Sequence, residues 1–539
     1  MKRNIFAAII LLSAFLCKAQ NGNYPVMYSN KKNISYIVNG VKDSWTIDPE
    51  LTPDVLRLYD AVKKTYDVKF VSDLDSLSFQ VEANKPIYFW VIYRGDSALT
   101  KIDFTDHFPN TLTNEQKLYA LSLFWSEVRY NFAFIDKLSF DWDSLYQAYI
   151  PKILDTKDDY EFYDQMQLFA TTLKDGHTNV YYDNRSAYTD YIPIGARFFK
   201  NELYITNTRE DIKETFPLGA KILEINGMSV NDYIKKYIEP YIDSNFEPTA
   251  KLLSSIKLFS SDIHSNVLTI KYQTPDKKIL VNTLPRDGRT RQGESIGYIP
   301  KRHKNIEINW LENNIAVLEF NTFYNQDGQL ITYFETLKDT LYYAEGIIID
   351  MRQNGGGMTD VAWHLLQYMI KESYFLNIGS QTRVNDGVKR ANGNWIPEYE
   401  DFYTMKAYET SHIDTIYIPD SIKRFDVPMV VLISSMTVSA AEDFLIMLYE
   451  RNDRPKFIGR PSFGSTGSPL IVWNWPDENG FARVCTRRCL FPYSLKPFSE
   501  GIMPDILVEY TYDEYMSGKD KDVEVAVKEL KKQIKDKNK

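Results

Sequence analysis

Ser439 stands in Ser434-Ser-Met-Thr-Val-Ser439-Ala-Ala-Glu442, where an aliphatic run, Met429 to Ile433, gives way to a helical pattern from about Ala440 to Tyr449. A hydroxyl at a helix N-terminus is commonly a cap. It is also where a serine nucleophile gains, because the dipole and free N–H groups favour developing negative charge. A second aliphatic run, Gly346 to Asp350, leads into Met351-Arg-Gln-Asn354-Gly355-Gly356-Gly357, with a helical pattern from about Thr359. Three glycines let the backbone turn sharply and leave N–H groups unobstructed, so this turn can bind an anion or an oxyanion. The G-x-G-x-x-G spacing of dinucleotide sites is missing.

A serine nucleophile needs a base, usually a neutral histidine. The candidates are His107, His177, His264, His303, His364 and His412. His364 lies in an apolar helical pattern and reads as packed or surface-exposed. His177, in Lys174-Asp-Gly-His-Thr178, is the best placed in a turn. Pro497-Phe-Ser-Glu500-Gly-Ile-Met-Pro-Asp505 is a turn-rich loop with two carboxylates. Gly459-Arg-Pro-Ser-Phe-Gly464-Ser465-Thr466 has the spacing of a phosphate loop, but Ser465 stands where the essential lysine belongs, which argues against nucleotide binding. Cys485 and Cys489 lie four apart in a β-rich stretch, too far to bridge along a straight strand; they read as packed, or bridged across a turn. Without a nearby histidine pair they make a poor zinc site, and nothing calls for a metal or cofactor.

The elements that must position these groups can be read coarsely. With 539 residues, 44% apolar and 25% charged, the chain is a folded multidomain protein. A net charge of −9 without a long basic run argues against nucleic acid. Lys2-Arg3, the apolar run Ile5 to Leu16 and small residues before a cut after Ala19 form an export signal over residues 1–19. A lipoprotein cut before Cys17 is the lesser reading, since Phe15 and Leu16 fit it poorly. No later segment reads as a membrane span, so the mature chain is expected in the periplasm or outside the cell. Residues 20–110 read as a β accessory domain. Residues 111–185 read as helical, beginning at a capping box, Thr113 to Gln116, and ending at the His177 turn. Residues 186–285 return to short strands, with a turn at Gly219 and a tight Asn226-Gly227 turn between two strands. From 286 to 539 aliphatic strands alternate with helices, which predicts an α/β sheet covered on both faces.

Taken in order, these motifs resemble the C-terminal processing and tricorn-type serine peptidases. Gly346 to Gly357 is similar to that family's aspartate-leucine-arginine-asparagine-glycine signature and Ser439-Ala-Ala-Glu442 to its nucleophile motif. Ile458 to Gly464 resembles its glycine-rich strand turn, and Glu500 to Asp505 its closing motif. Pro217 to Val230 looks like part of a PDZ domain inserted before the core. The resemblance spans roughly residues 113 to 530. It implies a crotonase-like α/β peptidase core, a PDZ-like domain over 186–285, no cofactor, and a peptide or protein substrate. Ser465 stands where the processing branch carries its basic lysine, so the resemblance shifts to the tricorn-like branch with His177 as base. Glu500 would then be the supporting carboxylate. The N–H groups of Gly356 (or Gly355) and Ala440 would form the oxyanion hole. Gly176 stands where some members place a serine before the histidine. The alternatives are an inactive peptide- or apolar-ligand-binding protein on the same scaffold, and an esterase using the same residues.

Overall fold

The runs Gly346–Asp350 and Met429–Ile433 are neighbouring parallel strands, paired Ile347 to Met429 through Asp350 to Leu432. They lie at the centre of a six-stranded sheet ordered Ile306–Leu311, Ile315–Phe320, Gly346–Asp350, Met429–Ile433, Lys456–Gly459, Ile506–Leu507. The first pair is antiparallel and the others are parallel. Successive side chains of a strand point to opposite faces, and here both faces are covered. Ile347, Ile349, Val431 and Ile433 pack with helices Thr359–Met369 and Ala440–Tyr449. Ile348, Val430 and Leu432 pack with Ala526 and Leu530 of the helix Lys521–Lys537. That double burial is why these strands read as unbroken aliphatic runs.

The computed structural model of the chain describes residues 111–182, 191–260, 267–285, 294–298, 303–476 and 480–537, together with the backbone of strands between residues 26 and 102. Those N-terminal strands form two antiparallel sheets, of which one is ordered Val41–Thr46, Asn33–Val38, Val26–Asn30, Ser76–Ser78. The export signal expected over residues 1–19 lies outside the described residues. Among the described residues, no helix is long and apolar enough to cross a membrane.

The helical segment comprises Asn114–Asn131, Trp142–Leu154 and Asp159–Thr171. Thr113 and Gln116 close a capping box at its start. It does not stand alone: Phe124, Phe162 and Phe169 share one core with Val472, Ala482, Val484 and Cys485. The last carbonyls of its first helix are also capped from the α/β half. Arg383 Nη1 donates to Arg129 O at 3.0 Å and Asn385 Nδ2 to Tyr130 O at 3.0 Å, where donors complement the negative helix end.

Residues 194–285 form an antiparallel sheet ordered Ile194–Phe199, Glu202–Arg209, Lys221–Ile225, Val267–Gln273, Ile279–Pro285, with the helix Glu247–Lys257 beside its first strand. Asn226 and Gly227 both take positive φ, as a tight hairpin turn requires. The strand after that turn is only Met228–Ser229 before the chain turns helical at Val230. Cys485 and Cys489 are both buried and free, and they sit in different cores.

Candidate active site

Because the two central strands are parallel neighbours, the loops leaving their C-terminal ends meet. Met351 N donates to Leu432 O at 2.9 Å and Val438 N to Asn354 O at 3.0 Å. Open α/β sheets place their sites at this end. Ser439 precedes the helix Ala440–Tyr449, with φ 60° and ψ −126°. For a non-glycine residue such a conformation costs on the order of 1–3 kcal/mol and persists only when its surroundings impose it. The imposing bonds are visible: the Ser439 N–H is shared between Ser465 O at 3.1 Å and Glu442 Oε2 at 3.3 Å. Ser439 O accepts from Glu442 N at 2.7 Å and Asp443 N at 3.0 Å.

His177 reaches this point through strand pairing. Asn179–Tyr182 pairs antiparallel with Gly480–Cys485, which pairs in turn with Pro469–Val472, the strand that follows the Gly464 turn. The loop before it is pinned by Thr178 Oγ1 donating to Asp175 Oδ2 at 2.6 Å and by Arg483 Nη2 donating to Gly176 O at 2.9 Å. The ring then lies with Nε2 3.0 Å from Ser439 Oγ and Nδ1 2.6 Å from Ser465 Oγ. His177 is 6% exposed. Burial, followed by the charges of Arg483 and Arg487, lowers its pKa to about 4. The imidazole is therefore neutral at ordinary pH and can accept a proton.

Glu442 is a residue to which sequence reasoning gave no role, although its Ser-x-x-Glu spacing from Ser439 is a capping-box signal. Its carboxylate is fully buried and collects four donors. Besides Ser439 N these are Ser462 Oγ at 2.6 Å, Gly464 N at 2.7 Å and Ser465 N at 2.9 Å. Burial outweighs these bonds, which pull its pKa down, and leaves it raised to about 8. Next to it, buried Asp443 accepts from Thr359 Oγ1 and Thr466 Oγ1, each at 2.7 Å. The two carboxylates thereby clamp the loops that flank Ser439 and His177.

The glycine loop fits closely against Ser439. A Cβ on Gly356 would stand 2.7 Å from both Ser439 Cβ and Val438 O, and its φ is +90°. Gly356→Ala is therefore expected to lower activity by at least about tenfold and to destabilise the fold by about 1–3 kcal/mol. Kinetics and thermal unfolding check this, and wild-type values in both would refute the close packing. The Gly356 N–H is already given to Asn354 Oδ1 at 2.9 Å. The N–H groups of Gly355 and Ala440 have no hydrogen-bond partner among the described residues. Of the three candidate donors, Gly355 and Ala440 are the two whose N–H is not already given to a protein acceptor.

The structure does not bring the Glu500 carboxylate to His177. Its side chain is exposed and makes no hydrogen bond or ion pair among the described residues. Only the backbone at 500–501 is close, with Gly501 N 2.8 Å from where a Gly464 Cβ would be. The physical reason is that Ser465 already occupies Nδ1. His364, in turn, sits on Glu335 at 2.6 Å, away from Ser439.

A strained serine against a buried neutral histidine, at the C-terminal edge of a parallel sheet, is the arrangement of a serine hydrolase. Residues 314–508 match peptidase family S41, so this part of the chain is similar to that family of serine-type peptidases. The fold is shared with mature CPAF, at 15% identity and TM-score 0.56, over 75% of this chain and 96% of that one. CPAF complexed with lactacystin overlays similarly, at 15% identity and TM-score 0.55, over 75% and 97%. The photosystem II D1 C-terminal processing protease aligns at 15% identity and TM-score 0.38, over 74% and 94%. No curated relative matches the chain.

Proposed function

We propose that this chain is an exported peptidase that cleaves peptide bonds by acyl transfer, with Ser439 as nucleophile and His177 as general base. The observation that carries the reading is the 3.0 Å contact between His177 Nε2 and Ser439 Oγ, groups 262 residues apart in sequence. Ser439 Oγ attacks the scissile carbonyl as its proton passes to Nε2. The Gly355 and Ala440 N–H groups receive the oxyanion, and Nε2 returns the proton to the leaving amine. Water then releases the acyl group by the same proton path. The PDZ-like region, residues 186–285, would hold an extended peptide by strand addition. Export rests on the signal-like residues 1–19.

A fluorophosphonate probe is expected to label Ser439, with labelling abolished in Ser439→Ala. Folded wild-type protein that neither labels nor turns over peptide would favour the inactive binding protein. Turnover of esters without peptides would move the reaction to esterase chemistry.

A further inference from the structure

We infer that Ser465, backed by Asp175, is a positioning pair that holds His177 in the tautomer that proton abstraction requires; the inference rests on the assignment of His177 as base. A neutral imidazole carries one N–H. For Nε2 to accept the Ser439 proton, that N–H must be on Nδ1, and a buried N–H needs an acceptor. The Ser465 hydroxyl is that acceptor, 2.6 Å from Nδ1. A hydroxyl that accepts still has its own proton to give, and Asp175 Oδ1 stands 3.5 Å from Ser465 Oγ. Asp175 is itself fixed through its other oxygen by Thr178 Oγ1 at 2.6 Å.

Ser465 is well built for this task because its remaining polar groups are also committed. Its N–H donates to Glu442 Oε2 at 2.9 Å, and its carbonyl accepts from the Ser439 N–H at 3.1 Å. One residue thus touches both the nucleophile and the base, so their relative positions are set by a single rigid turn. The residue before His177 is left bare to admit it. A Cβ on Gly176 would stand 2.9 Å from Phe463 Cε1 and 3.2 Å from Ser465 Oγ. The serine in the place of a basic lysine is therefore a contact of the histidine, and a carboxylate from the histidine's own loop stands behind it.

The test compares Ser465→Ala, Asp175→Asn and His177→Ala in the full chain. Ser465→Ala is expected to lower kcat about 10²-fold with KM changed less than about threefold, and Asp175→Asn to lower kcat about tenfold, since both disturb orientation rather than substrate contact. The readout that a mere packing role would not move is the tautomer, read from the ¹⁵N shifts of His177 in ¹⁵N-histidine-labelled protein. Wild type should show a protonated Nδ1 and a bare Nε2, and Ser465→Ala a mixture of tautomers. Should Ser465→Ala fail to fold, Asp175→Asn carries the same measurement. An unchanged Nδ1–H tautomer, or a Ser465→Ala rate within threefold of wild type while His177→Ala is inert, overturns the pair alone. Activity surviving His177→Ala overturns the base assignment and the pair together.

Discussion

His177→Ala is expected to lower kcat by about 10⁴-fold or more, with KM changed only a few-fold. The ring is the only imidazole within reach of Ser439 among the described residues, and a serine hydroxyl without a base is a poor nucleophile at neutral pH. Alanine there removes buried atoms from a loop still tied by Thr178, Cys485 and Arg483, so the chain should fold. The pH profile carries a second check. The active base is the neutral ring, and its pKa is lowered to about 4 by burial and two arginines. The limb of kcat/KM that reports His177 should therefore lie near pH 4 rather than at the ordinary value of about 6.5. Stability follows the same sign. The unfolded ring takes up a proton below about 6.5 and the folded ring only near 4, so the contribution of this group is lost as pH falls between them. A near wild-type rate in His177→Ala would refute the base; a shallower fall near pH 6 belongs to Asp175, whose pKa burial raises to about 6.

Glu442→Ala should be the most damaging change outside the reacting pair. It strips four buried or half-buried donors of their acceptor at once, and an unsatisfied buried polar group costs about 1–3 kcal/mol. A loss of at least about 3 kcal/mol is expected, with activity falling along with it. The same carboxylate holds the Ser439 N–H and the turn that carries Ser465. Glu442→Gln keeps one acceptor oxygen but turns an NH₂ toward donors, so an intermediate loss is expected. Thermal unfolding together with kinetics decides the matter: a Glu442→Ala melting point within about 2 °C of wild type, at full activity, would show that the clamp is dispensable.

Much of the core was legible because its signals are local. Aliphatic runs ending in glycines or serines, followed by helical periodicity, mark strands whose C-terminal ends carry loops, and Gly346–Asp350 and Met429–Ile433 are such strands. Ser439 was harder. It occupies a cap position, and what separates it from an ordinary cap is a backbone angle imposed by hydrogen bonds from its own helix and from the distant Ser465 turn, which no local pattern reports. Ser465 could be seen only as the residue standing where a lysine would act. Asp175, two residues before His177, passed as a turn former, and Glu442 as part of a motif. Glu500 was chosen by its place in the chain, which says nothing of where a side chain points; here it points to solvent.

The sequence by itself therefore determined the residue types and the order in which they occur: a serine at a helix start, a histidine in a turn, a glycine loop after a buried strand. Those follow from short-range periodicity and turn chemistry. Which of them meet was decided only by tertiary structure. The pairing of Asn179–Tyr182 with Gly480–Cys485 closes the gap between His177 and Ser439, and the buried carboxylate of Glu442 sets the Ser465 turn against both. Contacts between residues hundreds of positions apart depend on sheet register and on which buried donors find acceptors, and neither is encoded in any single stretch of the chain.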